Sequence, residues 1–186
     1  MPTFRTSRPV SAAENFPLTP HLILVGLPGA GKTSVARRVG EQLGRRVLDF
    51  DAEISRREHA SVAEIFASRG EAHFRALERA LTEELRESGS MVLSPGAGWI
   101  ANEGCLATLR PPAMAVYLQV SPETAIARMG AATADRPLLR RPDAVAEVRR
   151  LLEARQGLYM QSDHTVSTEM MTQEAVVQHI VALARA

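Results

Sequence analysis

Short apolar runs alternate with segments of helical periodicity along most of the chain. Leu22–Val25 form an uninterrupted apolar run of the length expected for a strand that is buried on both faces, which is typical of parallel sheets. After a glycine-rich loop, apolar residues recur at helical spacing between positions 35 and 43. Gly44 follows where a left-handed helix cap is expected. The pattern therefore predicts a strand, a loop and a helix in succession.

The same alternation continues to the end of the chain. Further strands are predicted at 46–51, 91–94, 114–120 and 165–167. Further helices are predicted from Ser121, around Val148 to Tyr159 and around Val176 to Leu183. Ser61 and Glu64 match a capping box that starts a short helix, and Gly70 separates this helix from a longer one that runs to about Glu87. These two consecutive helices interrupt the alternation and predict a small lobe at about 52–88, placed to hold a second substrate.

Composition limits the classes of function. The 186 residues are 45% apolar and 23% charged, which fits one globular domain, expected at 21–186 after a flexible extension at 1–20. A net charge of +1 and few aromatic residues argue against nucleic acid as a partner. Cys105 is the single cysteine, so no intramolecular disulfide is expected. No apolar run approaches a membrane span, and we expect a cytoplasmic protein with no membrane partner.

The first loop matches the phosphate-binding pattern G-x-x-x-x-G-K-[ST] from Gly26 to Thr33. Gly29 and Gly31 let the backbone approach a phosphate, and the following helix directs its positive end at the same point. Lys32 has the length and charge to reach the β- and γ-phosphates, and the Thr33 hydroxyl is placed to bind Mg²⁺.

Two carboxylates, Asp49 and Asp51, end the second predicted strand. Extended geometry would put both on one face, at the sheet edge where open α/β folds bind ligands. One of them could then serve Mg²⁺ and the other a substrate hydroxyl. The alternative is that Asp51 only caps a helix that begins near Ala52.

Two arginines lie on predicted helices with opposite expectations. Arg75 falls off the apolar stripe of its helix, so periodicity favours a solvated residue that pairs with Glu71 or Glu78. Arg155 lies on the same apolar stripe as Tyr159. An arginine that points inward is expected to face a carboxylate or an anionic ligand. The alternative is that its aliphatic part packs against the core while its guanidinium reaches water.

Two loops complete the candidate site. Gly96-Ala97-Gly98 follows the third strand and is suited either to present amides to a ligand or to form a tight turn. Between positions 129 and 137 the pattern dissolves into small and polar residues, with Arg136 before a proline, which predicts a mobile lid at about 129–139.

Together these segments resemble the shikimate kinase family over about 22–168. The motifs that carry the resemblance are the P-loop, Asp49-Phe50-Asp51, Gly70-Glu71-Ala72-His73-Phe74-Arg75, Gly96-Ala97-Gly98, Arg136-Pro137-Leu138-Leu139 and Arg155-Gln156-Gly157-Leu158-Tyr159. The resemblance implies an α/β P-loop fold of three layers with a five-stranded parallel sheet in the order 2-3-1-4-5. It also implies ATP-dependent phosphorylation of the 3-hydroxyl of shikimate, a step toward aromatic amino acids, by an enzyme expected to be a monomer.

The resemblance also implies residue roles. Lys32, Asp51 and Arg136 would be catalytic, with Asp51 at the hydroxyl and Arg136 at the phosphates. Thr33 and Asp49 would bind Mg²⁺. The nucleotide would be bound by Gly29, Ala30, Gly31, Lys32, Thr33, Ser34 and Arg136. Shikimate would be bound by Asp51, Arg75, Gly96, Ala97, Gly98 and Arg155, with the two arginines on its carboxylate.

Two departures from the family pattern are visible. Ala97 replaces the middle glycine of the substrate loop, which is compatible with a negative φ and strained at a positive φ. Met129 stands where an arginine often stacks on adenine, with Arg128 beside it. Two other functions stay open: a kinase of another hydroxylated acid such as gluconate, or a sensing module that binds the acid without transfer. The retained Lys32, Asp51 and Arg136 argue against the sensing module.

Overall fold

A sheet of five parallel strands is the centre of the fold. The computed structural model describes residues 20–130 and 143–186. The strands are β1 (Leu22–Val25), β2 (Arg46–Asp49), β3 (Met91–Ser94), β4 (Met114–Gln119) and β5 (His164–Ser167). Their order is β2-β3-β1-β4-β5 and every pairing is parallel, which confirms the expected topology.

Helices connect these strands. In the described residues they are α1 (Lys32–Leu43), α2 (Phe50–Glu58), α3 (Val62–Leu85), α4 (Cys105–Leu109), α5 (Pro122–Met129), α6 (Ala144–Tyr159) and α7 (Gln173–Arg185), with a short 3₁₀ helix at Trp99–Ala101. The sequence pattern did not predict α4 or the 3₁₀ helix. Among the helices described, none is both long and apolar enough to span a bilayer.

The core lies along the middle strands. All four residues of β1 are buried, as are Ala115 to Leu118 of β4, because both strands have neighbours on either side and helices over them. The two edge strands are less covered, since Val47 of β2 is 38% exposed and Thr165 and Ser167 of β5 are exposed. The P-loop therefore starts from β1, a strand that is buried along its whole length.

The lobe between β2 and β3 is built from local signals that the sequence shows. Ser61 and Glu64 form the predicted capping box, with Ser61 N–H donating to Glu64 at 2.7 Å and Glu64 N–H donating to the Ser61 hydroxyl at 3.2 Å. Gly70 interrupts α3 with φ 79° and ψ 169°, a conformation that glycine adopts without strain. The long second part of α3 therefore runs in its own direction and ends at Leu85.

The predicted end of the second strand is wrong. β2 ends at Asp49, and α2 begins at Phe50, which is fully buried. Asp49 is the helix cap, because its extended backbone lets Oδ1 accept from the N–H of Ala52 at 3.1 Å. The alternative in which Asp51 caps the helix is therefore also wrong, and Asp51 lies in the first turn of α2.

Gly40 tests the packing of α1 against β2. A Cβ at Gly40 would overlap the side chain of Val47 and lie 2.9 Å from the carbonyl oxygen of Arg45. We expect Gly40→Ala to lower the free energy of unfolding by about 1–3 kcal/mol, measured by urea denaturation.

Gly157→Ala is the matched control, because a Cβ on this glycine of α6 would meet no atom within 4 Å. It should leave stability unchanged or raise it by up to about 1 kcal/mol. A Gly40→Ala protein as stable as the native chain would contradict the packing described here.

Candidate active site

The P-loop joins β1 to α1 with its backbone close to a neighbouring helix. Gly29 and Gly31 have φ of 80° and 86°, and a Cβ on Gly29 would lie 2.9 Å from the carbonyl carbon of Ala125. The N-terminus of α1 has no side-chain cap, so its first amides are directed at the space in front of the loop. Lys32 Nζ donates to the carbonyls of Gly26 and Leu27, both at 3.0 Å, which directs its charge along the same loop.

Three oxygen-bearing side chains meet at the ends of adjacent elements. The Thr33 hydroxyl donates to Asp49 Oδ2 at 2.7 Å, and Ser94 Oγ lies 3.4 Å from Thr33 Oγ1. Oxygen ligands of this kind suit Mg²⁺, which takes few protein ligands when phosphates supply the others. The sequence analysis missed Ser94, although it is the last residue of β3, the strand next to β1.

Asp51 lies against the substrate loop that follows β3. A Cβ at Gly96 would be 2.7 Å from Asp51 Oδ1, so only glycine permits this approach. The acid is thereby close to the loop, and it lies two residues after the Asp49 cap in the first turn of α2. The structure thus separates the two carboxylates, one toward the P-loop threonine and one toward the substrate loop.

Arg75 is paired as the sequence suggested but is not solvated. Its guanidinium donates to Glu71 at 2.8 Å and to Glu78 at 2.7 Å, while its side chain is only 20% exposed and Glu78 is fully buried. The expectation of a solvated pair is therefore wrong. Periodicity could not show this, because Glu78 is covered by residues that follow the substrate loop.

Glu78 lies beside Arg75, and its complete burial was not predicted from the sequence. Asn102 Nδ2 donates to Glu78 Oε2 at 3.1 Å and to the carbonyl of Arg75 at 2.8 Å, while Glu78 Oε1 is buried with no partner among the described residues. Burial raises the pKa of Glu78, the Arg75 and Asn102 bonds oppose this, and the charge of Asp51 adds to it. Its position at i+3 from Arg75 was the available signal.

The outer glycines of the substrate loop have no room for a side chain, whereas the middle position holds an alanine. A Cβ on Gly98 would overlap the Arg75 guanidinium, 2.7 Å from Cζ, although Gly98 itself has φ −87°. Ala97 does not have a positive φ, since His59 is the one described non-glycine residue that does. The alanine therefore sits in the loop without backbone strain.

Arg155 points inward from α6 to the same loop. One Nη donates to the carbonyl of Ala97 at 3.0 Å, and the hydroxyl of Tyr159 donates to that oxygen at 3.3 Å. Tyr159 stacks on Tyr117 with ring centroids 4.7 Å apart. In the described residues no carboxylate forms an ion pair with Arg155, and its guanidinium is directed at the carbonyl oxygen of the loop residue Ala97.

A cavity of about 560 Å³ opens beside the P-loop. Its lining includes Gly29 to Ser34 on one side and Arg128, Met129, Thr168 and Met171 on the other. Arg128 and Met129 both line this cavity, and the Arg128 guanidinium donates to Thr168. Arg136 and most of the expected lid lie outside the described residues.

The candidate residues therefore form two adjoining regions. Lys32 and Thr33 line the cavity and Thr33 bonds to Asp49, while Arg75 and Arg155 converge on the loop at Gly96 to Gly98, with Asp51 beside it. Two guanidinium groups at one small loop suit a carboxylate ligand.

Comparison with known proteins gives one consistent family. The family model described as shikimate kinase matches residues 28–185. Shikimate kinase from Nitrobacter winogradskyi is 36% identical over 162 residues, which is 87% of this chain and 75% of that protein. Shikimate kinase from Mycobacterium tuberculosis is 37% identical over 166 residues, which is 89% of this chain and 93% of that protein.

Solved structures agree. A shikimate kinase from Acinetobacter baumannii in complex with shikimate has a TM-score of 0.83 and 34% identity, covering 88% of this chain and 92% of that one. A gluconokinase from Sinorhizobium meliloti has a TM-score of 0.58 and 16% identity, covering 90% and 93%, and this likeness shows the fold alone.

Tyr159 gives a prediction about pH. Burial raises its pKa to about 12, which the charge of Arg155 only partly offsets, so its hydroxyl stays a donor to Ala97. In the unfolded chain the phenol ionises near pH 10. The contribution of Tyr159 to the free energy of unfolding is therefore constant below that pH and falls as pH rises from about 10 to 12. Urea unfolding should show this decline, and Tyr159→Phe should reduce it.

Ultraviolet titration supplies the control for that prediction. The sequence has two tyrosines, and the part of the phenolate absorbance with a midpoint near 12 should disappear in Tyr159→Phe. Loss of a component with an ordinary midpoint instead would show that Tyr159 is not buried as described.

Proposed function

The chain belongs to the shikimate kinase family, and on that premise we propose that it transfers the γ-phosphoryl group of ATP to the 3-hydroxyl of shikimate. The observation that carries the proposal is the convergence of Arg75 and Arg155 on the loop beside Asp51, next to a P-loop. This arrangement supports a carboxylate site at the loop beside Asp51 and a phosphate site at the P-loop. Similarity to a shikimate-bound relative supports the same substrate.

Each half of the site has its own task in this reaction. Arg75 and Arg155 bind the shikimate carboxylate, which orients the ring so that one hydroxyl faces Asp51. Asp51 orients that hydroxyl and accepts its proton as the new P–O bond forms. Lys32 and the amides of the P-loop neutralise charge on the transferred phosphoryl group, which is the main source of catalysis in such sites.

Mg²⁺ fits the oxygen donors at the phosphate end. Thr33 and Asp49 would bind the ion, with Ser94 beside them. When bound, Mg²⁺ supplies positive charge to the phosphates during transfer. Arg136 would add charge at the same phosphates, as the family resemblance implies. The domain limits, the monomeric state and the cytoplasmic location stay predictions.

The test is turnover on three acids. ADP release, coupled to an absorbance assay, should be fast with shikimate and slow with quinate and gluconate at saturating Mg²⁺. Fast release with gluconate would favour the rival kinase, whose only support here is a likeness of fold. Tight shikimate binding by calorimetry with no ADP release would favour the sensing module.

Arg155→Ala should weaken the binding of shikimate and leave the binding of ATP unchanged. A hydrogen bond to a charged group contributes about 1.5–3 kcal/mol, so we expect the KM for shikimate to rise about ten- to hundredfold. Methyl shikimate, which lacks the carboxylate charge, should bind the variant and the native protein with similar affinity.

Arg149→Ala is the matched control, since Arg149 lies on the same helix and pairs with the exposed Glu123. It should leave both KM values unchanged. If Arg155→Ala weakened methyl shikimate as much as shikimate, the arginine would bind something other than the carboxylate.

A further inference from the structure

The wall of the nucleotide cavity opposite the P-loop is formed by residues 168–171, between β5 and α7. Thr168 and Met171 from this segment line the cavity. Thr168 is fixed at its start, because its N–H and hydroxyl donate to the carbonyl of Gln119 at 2.8 and 3.1 Å. Arg128 donates to Thr168 Oγ1 at 2.8 Å and to its carbonyl at 2.6 Å. The last turn of α5 therefore contacts the first residue of the wall.

Glu169 makes a second connection to α5, at the opposite end of that helix. One carboxylate oxygen accepts from the N–H of Ser121 at 2.9 Å. The other accepts from the hydroxyls of Ser121 at 2.8 Å and Thr124 at 2.5 Å. The bond from Thr124, then those from Ser121, lower the pKa of Glu169, so the carboxylate is charged at neutral pH. Three donors from the cap and first turn of α5 thus converge on one side chain of the wall.

Apolar packing does little to position the same segment. Met170 is 94% exposed, and Met171 is only partly buried against the core. Glu169 itself does not line the cavity. The position of the wall therefore depends on the polar contacts of Thr168 and Glu169 with α5 and β4. Of these, the contacts of Glu169 with Ser121 and Thr124 involve no residue that lines the cavity.

The residues that line the cavity indicate which part of a nucleotide meets this wall. Lys32 and Thr33 of the P-loop suit the phosphates, and Arg128, Met129 and Met171 also line the cavity. Phosphates at the P-loop leave the sugar and base toward the thioethers and the guanidinium. A volume of about 560 Å³ lies within the range of small-ligand sites.

We propose that Glu169 is a positioning residue for nucleotide binding, which fixes the wall at 168–171 against α5 so that Met171 and Arg128 meet the sugar and base. The inference rests on the proposed function, because its ligand is the nucleotide that the P-loop binds. Loss of the Glu169 carboxylate leaves three donors of α5 without their acceptor and allows the wall to shift. Shikimate lies at Arg75 and Arg155 and is not affected.

The test separates the two substrates of one enzyme. Glu169→Ala should raise the KM for ATP about three- to tenfold, as expected for lost polar contacts that act through the wall. The kcat at saturating ATP and the KM for shikimate should change by less than about twofold. Glu169→Gln keeps one acceptor oxygen and should give an intermediate KM for ATP, a graded rescue that a general loss of stability would not produce.

Two further variants complete the design. Thr124→Val removes the same contact from the α5 side, and its effect should not add to that of Glu169→Ala if both act through one connection. Glu123→Gln is the matched control, an exposed carboxylate in the first turn of α5 that pairs with Arg149 away from the cavity. It should leave the KM for ATP unchanged. Thermal unfolding of each variant identifies any general loss of stability.

Calorimetry with a non-hydrolysable ATP analogue makes the outcome independent of turnover. A native analogue affinity in Glu169→Ala, or an equal rise in both KM values, would overturn the positioning role and leave the proposed kinase function standing. A native protein that binds the analogue but releases no ADP would contradict the kinase function, while weaker analogue binding by Glu169→Ala would still support the positioning role.

Discussion

A buried ion pair between Arg75 and Glu78 is the constraint on which the substrate half of the site depends. Glu78 is fully buried, and a carboxylate in that position is costly unless a cation and hydrogen bonds compensate it. Arg75 supplies the charge and Asn102 an amide, at 2.7 and 3.1 Å. The guanidinium is thereby fixed over Gly98, which must lack a side chain to admit it. The arginine is thus in place before any ligand binds, as the proposed carboxylate site requires.

The parallel sheet supplies the other half of the arrangement. β1, β2 and β3 are neighbours and run in one direction, so their carboxyl ends present the P-loop, Asp49 and the substrate loop at one edge. The contact of Thr33 with Asp49 crosses between two of these ends. The P-loop follows β1, which is buried along its length, while the wall at 168–171 is joined to α5 mainly through hydrogen bonds.

Local signals were readable from the sequence, and contacts between distant segments were not. The strand before the P-loop, the capping box at Ser61 and the break at Gly70 each depend on a few consecutive residues, and the structure confirms them. The predicted end of β2 was wrong because Asp49 has an extended backbone and also caps the helix that follows. The burial of Glu78 and the role of Glu169 depend on partners 24 and 45–48 residues away, which periodicity does not detect.

Substitution of Gly98 tests the central claim most directly. In Gly98→Ala the new methyl group would occupy the place of the Arg75 guanidinium, while the neighbouring change Ala97→Gly adds no atom. Calorimetry should show that Gly98→Ala loses about tenfold or more in shikimate affinity, while its ATP-analogue affinity stays close to native. Because a displaced guanidinium would weaken its bond to buried Glu78, the melting temperature should fall as well. Ala97→Gly should bind shikimate like the native protein. Native shikimate affinity in Gly98→Ala would show that the carboxylate site does not depend on an arginine fixed over this glycine.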